Sequence, residues 1–151
     1  LTPARYEIFF DPEKFQQCAP ERLYRAPEKL VYRFISRRLV FALDRNGVLT
    51  LNSANNLIVP AAFYPMKLIA VLFNSELYQL LFRSRFNTHK VLRSDLEQLP
   101  LPDFSPAVRE ELTGLADRLL AGEISAASQV DTVLAAVLEL TETEKKLITE
   151  P

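Results

Sequence analysis

The sequence predicts an α+β fold, a small mixed or antiparallel β region packed on helices with a helical C-terminal third. Three observations carry that expectation. Residues 29–51 are β-branched, aromatic and basic around an Asn46-Gly47 pair, residues 65–83 are apolar at helical spacing, and everything after Pro102 repeats a helical period between Pro, Ser and Gly punctuation. At 151 residues and 48% hydrophobic content the chain is long enough to bury one sizeable core. It is therefore expected to form a single domain over 1–151, divided into a lead-in (1–26), a β region with central helices (27–102) and C-terminal helices (103–151). The sequence opens on Leu1 without Met, in a proline-punctuated stretch, and is read as part of a longer protein.

Each element has a local reason. In Lys29–Leu51, Asn46-Gly47 lies between two apolar runs, a hairpin signal. Leu30, Tyr32 and Phe34 alternate there with Val31, Arg33 and Ile35, so one face is expected to pack while Arg33 projects, with Arg37 and Arg38 at a bend or strand edge. The stretch Asn52-Ser53-Ala54-Asn55-Asn56 reads as a loop feeding a short strand at Leu57-Ile58-Val59, ended by Pro60. Its asparagines serve turns or touch a ligand. Pro65 suits the start of a helix, and Met66–Phe73 is apolar almost all round, so that helix should be buried. Asn74-Ser75 should break it and cap a second helix carrying Leu77, Leu80 and Leu81, with Glu76 in the first turn. Ser105-Pro106 opens a helix with a Val108, Leu112, Leu115, Ala116, Leu119, Leu120 stripe that Gly122 closes. Another follows Ser125 with Val130, Val133, Leu134, Val137 and Leu138, and Thr141-Glu142-Thr143-Glu144 is a capping box for a last short one.

Charge divides the chain along the same line. Residues 21–100 hold twelve Lys/Arg against six Asp/Glu, whereas 103–151 hold four against ten, so the net charge of −1 hides a polarised molecule. Such asymmetry points to nucleic-acid contact by the basic half or, more plainly, to solvated faces. The densest basic segment is Arg83-Ser84-Arg85-Phe86-Asn87-Thr88-His89-Lys90-Val91-Leu92-Arg93. Its Arg and Lys residues suit phosphates and guanine edges, Asn87 suits adenine, and His89 or Thr88 can position backbone or base. Phe86 reads as a core anchor.

Catalytic constellations are hard to write. His89 is the single histidine and Cys18 the single cysteine, too few for a zinc site and without support as a catalytic pair. Three glycines, at 47, 114 and 122, allow no phosphate-cradling loop. Carboxylate pairs such as Asp95 with Glu97 or Glu110 with Glu111 sit in ordinary amphipathic contexts, so this chain alone is expected to be non-catalytic. The unpaired Cys18 and the absence of an opening signal peptide suit a cytoplasmic, reducing compartment, and no apolar run reaches the roughly 18 residues of a membrane span.

Several motifs, in order, then carry a resemblance: Pro27-Glu28-Lys29-Leu30-Val31-Tyr32-Arg33, Ala42-Leu43-Asp44-Arg45-Asn46-Gly47, Leu51-Asn52-Ser53, Leu72-Phe73-Asn74-Ser75 and Leu99-Pro100-Leu101-Pro102. The chain resembles the TaqI-like C-terminal specificity domain, the target recognition part of N6-adenine DNA methyltransferases and related restriction-modification enzymes. The tail Val130–Leu134 with Leu140–Lys145 is similar to the closing helices of such proteins, extending the resemblance over about 27–148. Where many relatives have a Leu-Tyr-Gly-Leu-like turn, this chain has Val137-Leu138-Glu139-Leu140. The resemblance implies a non-catalytic module that reads double-stranded DNA beside a methyltransferase catalytic domain, in cis or in trans. S-adenosylmethionine would be held by that catalytic domain, and the family's Asn/Asp-Pro-Pro-Tyr/Phe motif is absent here.

Charge and loop placement nominate Arg33, Arg37, Arg38, Arg83, Arg85, Lys90 and Arg93 for phosphate or guanine contacts, and Asn55, Asn87 and His89 for base reading. The alternative is a protein-interaction or regulatory domain without DNA specificity, its basic half binding an acidic partner.

Overall fold

A computed structural model of the chain describes residues 9–16, 18–51, 53–59 and 64–149. The expectations for Asn52 and Pro60 fall outside them. After a 3₁₀ turn at Pro12–Lys14 and a short helix α1 (Glu21–Tyr24), three strands follow: β1 (Lys29–Arg33), β2 (Phe41–Asp44) and β3 (Ala54–Leu57). Six helices complete the chain: α2 (Met66–Asn74), α3 (Glu76–Arg85), α4 (Arg93–Leu96), α5 (Pro106–Leu120), α6 (Ala126–Val137) and α7 (Glu142–Thr149). The sheet is antiparallel with order β2-β1-β3, so the expected α+β architecture holds.

The hairpin forms elsewhere than expected. β1 and β2 are joined by residues 34–40, while Asn46-Gly47 lies beyond β2 on the way to β3. Asp44 is the physical reason. Its carboxylate accepts the N–H groups of Asn46 and Val48, each at 2.9 Å, and so turns the chain out of the sheet. The same carboxylate pairs with the Lys29 ammonium, which also donates to the Tyr24 carbonyl at 2.6 Å, and both charged side chains are fully buried. Burial of Lys29 through Tyr32 on both faces replaces the expected alternation, and only Arg33 projects. β3 begins three residues earlier than expected, so Asn55 and Asn56 are strand residues rather than loop residues, with Asn55 opposite Tyr32.

β2 is an edge strand, and two side-chain amides close it. Asn74 accepts from the Phe41 N–H at 2.9 Å and donates to its carbonyl at 2.8 Å. Gln79, almost wholly buried, accepts from the Leu39 N–H at 2.8 Å and donates to the Leu39 carbonyl at 2.9 Å. Each amide acts as one rung of a missing strand, which fixes the far end of the 34–40 loop to α2 and α3.

α2 is the centre of the core. Met66 and Leu68 through Phe73 are all buried between the sheet and α5, each large aliphatic contributing about 1.5–3 kcal/mol. Pro65 stands just before the helix as its N-cap residue, and Ser75 ends α2 and caps α3 by accepting from the Tyr78 N–H at 3.3 Å. Asp131 of α6 adds a second cap by accepting the Leu77 N–H at 3.2 Å. The Leu99–Pro102 segment is held by two buried tyrosines, since Tyr78 Oη donates to the Pro100 carbonyl at 2.6 Å and Tyr64 Oη to that of Pro102.

The C-terminal boundaries fall where caps and stops were read. Ser105 accepts from the Val108 N–H, and Thr141 and Glu144 exchange the reciprocal bonds of a capping box. α5 and α6 close with the same device. After α5, Gly122 has φ +96° and the Glu123 N–H reaches back to the Arg118 carbonyl; after α6, Glu139 has φ +52° and the Leu140 N–H reaches the Ala135 carbonyl. The turn after α6 is thus made with a glutamate in the left-handed conformation. Leu112, Leu115, Ala116, Ala126, Val130, Leu134 and Ile148 join the same hydrophobic cluster as Leu30, Leu68 and Leu72.

Candidate nucleic-acid interface

The nominated residues divide by what their neighbours do to them. Backbone pairing first draws two distant segments together. Ile35 bridges Lys90 in antiparallel register, the Ser36 N–H donates to the His89 carbonyl at 3.0 Å, and the Val91 N–H donates to the Phe34 carbonyl at 2.8 Å. Residues 34–36 and 89–91 thus form a short two-stranded ribbon continuing from β1. Thr88 preorganises it, its hydroxyl accepting the Lys90 N–H at 3.0 Å and donating to the Lys90 carbonyl at 3.1 Å.

This ribbon gathers Arg33, Arg37, His89 and Lys90. Arg37 Nε donates to His89 Nδ1 at 2.8 Å, a bond that requires that ring nitrogen to be unprotonated. Lys90 Nζ lies 5.8 Å from the centroid of the Phe34 ring, a cation–π placement that leaves the ammonium exposed. Arg83 and Arg85 occupy the last turn of α3, where cations also suit the helix dipole, and the chain runs from them directly into the ribbon. Arg85 donates to the Gln98 carbonyl at 2.7 Å, while Arg83 and Asn87 are exposed. Phe86 is partly buried against Phe82, the two rings tilted by 46° with centroids 5.4 Å apart.

Among the described residues, Arg33, Arg37, Arg83, Arg85 and Lys90 have no carboxylate partner. The remaining nominees differ. Arg38 is paired with Glu76, and Arg93 with Glu97 one helical turn on, at 2.6 Å. Asn55 is half-buried on β3, opposite Tyr32. It lines, with Tyr32, Phe34 and Arg93, a cavity of about 960 Å³ whose other wall includes Phe10, Phe15 and Tyr24. Burial raises the Tyr32 phenol above its usual value, while the Asn55 amide beside it and the Arg93 charge pull the other way.

Elsewhere pairing is common: Lys67 of α2 pairs with Asp117, and in the acidic third Arg109 pairs with Asp103, Arg118 with Glu123 and Lys145 with Glu142. The polarity read from the sequence is thus sharpened in space, with neutralised cations on the helical scaffold and unneutralised ones around the ribbon. Two ribbon residues were not nominated. Phe34 carries the Lys90 ammonium, and Ile35 is 62% exposed between cations. The signal for both was present in the Arg33-Phe34-Ile35-Ser36-Arg37-Arg38 run, but only the pairing with 89–91 gives it meaning.

No group of three or more His, Cys, Asp or Glu residues is placed to hold a metal ion, and no helix is long and apolar enough to cross a membrane, among the described residues.

Residues 2–101 match the TaqI-like C-terminal specificity domain, and the chain belongs to that family. It is a specificity domain of the kind found in restriction-modification proteins. The match takes in the lead-in that the motifs left out and ends at Leu101, before α5, whereas the order of motifs carried the resemblance to residue 148. No curated protein and no solved structure matches the chain.

Proposed function

We propose that this domain recognises a specific double-stranded DNA sequence for an N6-adenine DNA methyltransferase or a related restriction-modification enzyme, with the ribbon and the end of α3 as its DNA face. The observation that carries the reading is the set of basic side chains without carboxylate partners, Arg33, Arg37, Arg83, Arg85 and Lys90, on and next to the paired segments 34–36 and 89–91. Leaving such charges unneutralised costs self-repulsion, which a polyanionic backbone relieves through counterion release. Phosphate contacts of this kind set register, and Asn87 and His89 between them supply groups able to address base edges.

In this reading the adenine is turned out into the pocket of a catalytic domain acting in cis or in trans, which also holds S-adenosylmethionine. Extruding a base costs a few kcal/mol of unstacking, and duplex contacts made by this domain help offset it. Arg38 and Arg93, already neutralised, contribute less than their sequence position suggests.

Fluorescence anisotropy with a duplex pool across a salt series tests this. Each phosphate contact contributes about 0.9 to the log–log salt slope, so the Arg33→Ala, Arg37→Ala, Lys90→Ala variant should flatten it by about 2–3. Absent or salt-insensitive binding by the folded wild type, or an unchanged slope in the folded variant, refutes the proposal.

A further inference from the structure

We infer that Ile35 is a specificity-determining residue that contacts the C5-methyl group of a thymine in the major groove. The inference rests on the DNA-reading function proposed above. Arg33 ends β1 and Ile35 follows the bend at Phe34, and both side chains are exposed where Phe34 is half-buried. The antiparallel bridge places Lys90 directly across from Ile35, its ammonium reaching the Phe34 ring next to it. An apolar side chain 62% exposed thus neighbours two residues, Arg33 and Lys90, whose charges have no carboxylate partner among the described residues.

Single exposed apolar residues are common, and exposure alone would say nothing. Ile124, 84% exposed, shows the ordinary case, as it follows Glu123 in the turn between α5 and α6. Ile35 differs in its frame. A two-stranded ribbon fits the major groove, about 12 Å wide, and cations flanking its axis engage the phosphates on the groove walls. The side chain between them then faces the base edges. Among the groups presented there, the thymine methyl is the apolar one, so an isoleucine has one complementary target. Its β-branched side chain is stiff about χ1, and little conformational freedom is lost when it is seated.

The test starts from the duplex most enriched by the wild-type chain from a randomised pool, with each thymine replaced in turn by uracil, which removes the methyl and leaves base pairing intact. One replacement is expected to weaken wild-type binding about fourfold, the worth of one buried methyl-sized group. The same replacement should leave the affinity of Ile35→Ala unchanged, whereas Ile35→Val should keep part of the discrimination. Ile35 lies outside the hydrophobic core, so both variants are expected to fold, as circular dichroism would verify. Salt-dependent enrichment in which no uracil replacement weakens the wild type, or in which Ile35→Ala shows the same penalty, overturns the role of Ile35 and leaves the broader reading standing. No enrichment of any duplex by the folded wild type overturns both.

Discussion

The buried pair of Lys29 and Asp44 makes the most demanding test of this structure, because it ties β1 to β2, and β1 runs directly into residues 34–36. Both side chains are fully buried, and Asp44 serves three donors: the Lys29 ammonium and the N–H groups of Asn46 and Val48. Replacing Asp44 with Ala leaves the ammonium with only the Tyr24 carbonyl and strands two N–H groups. Removing one partner of such a pair costs about 3–5 kcal/mol, which for a chain of this size lowers Tm by about 6–20 °C. Lys29→Met should cost less, since the carboxylate keeps its two backbone donors. Burial alone would raise the Asp44 carboxyl, but the Lys29 hydrogen bond, the two N–H groups and the Lys29 charge outweigh it and hold it below 3.8. The pair's contribution is therefore complete above pH 3.8 and is lost as pH falls through the lower folded value. Urea unfolding of the three proteins at neutral and acidic pH measures both effects. A cost for Asp44→Ala under about 1 kcal/mol, the range of exposed ion pairs, would refute the argument that the pair is dry.

Four further outcomes follow from local geometry. Glu139→Gly, at φ +52°, should raise stability by about 1 kcal/mol, and Gly122→Ala, at φ +96°, should lower it by about as much, both read by thermal unfolding. Burial holds the Asp131 carboxyl above 3.8, against the pull of the Leu77 and Glu76 N–H groups and with the Glu76 charge adding to the rise. The folded state thus binds this proton more tightly than the unfolded chain. Its contribution is complete below pH 3.8 and lost as pH rises through the folded value, so Asp131→Asn should gain stability over the wild type as pH climbs through that window in urea titrations. Glu76→Gln releases Arg38, and if cation neutralisation decides who contacts phosphate, its salt slope for duplex binding should steepen by about 0.9.

The helical part of the fold was legible because its boundaries depend on neighbours in sequence. Ser75, Ser105, Pro106, Gly122 and Thr141-Glu144 act on N–H and carbonyl groups within one turn, and such signals survive whatever the rest of the chain does. The sheet obeyed longer-range terms. Asn46-Gly47 is a sound hairpin signal that lost to Asp44, whose carboxylate is drawn inward by a lysine fifteen residues away and turns the chain where β2 must end. β3 was read late because its register is set by Tyr32 across the sheet, not by the apolar Leu57-Ile58-Val59 triplet.

The same division explains what could be read of the site. Net basicity of 21–100 and the cluster at 83–93 are properties of composition, legible without any fold. Whether a given arginine is available is a tertiary property. Arg93 with Glu97 is an i,i+4 pair and could be suspected from spacing. Arg38 with Glu76 could not, as 38 residues separate them, and it is the break between α2 and α3 that turns Glu76 toward the loop. Nor does any local pattern join Ile35 to Lys90, 55 residues on, although that bridge gives the basic segments a common face. Three-dimensional pairing here works by subtraction: it removes Arg38 and Arg93 from a list of equals and leaves Arg33, Arg37, Arg83, Arg85 and Lys90 as charges without an internal counterion. A face so selected is expected to lose affinity more steeply with salt than one of equal formal charge whose cations are already paired, and the contrast between the Arg33/Arg37/Lys90 and Arg38/Arg93 variants measures that difference directly.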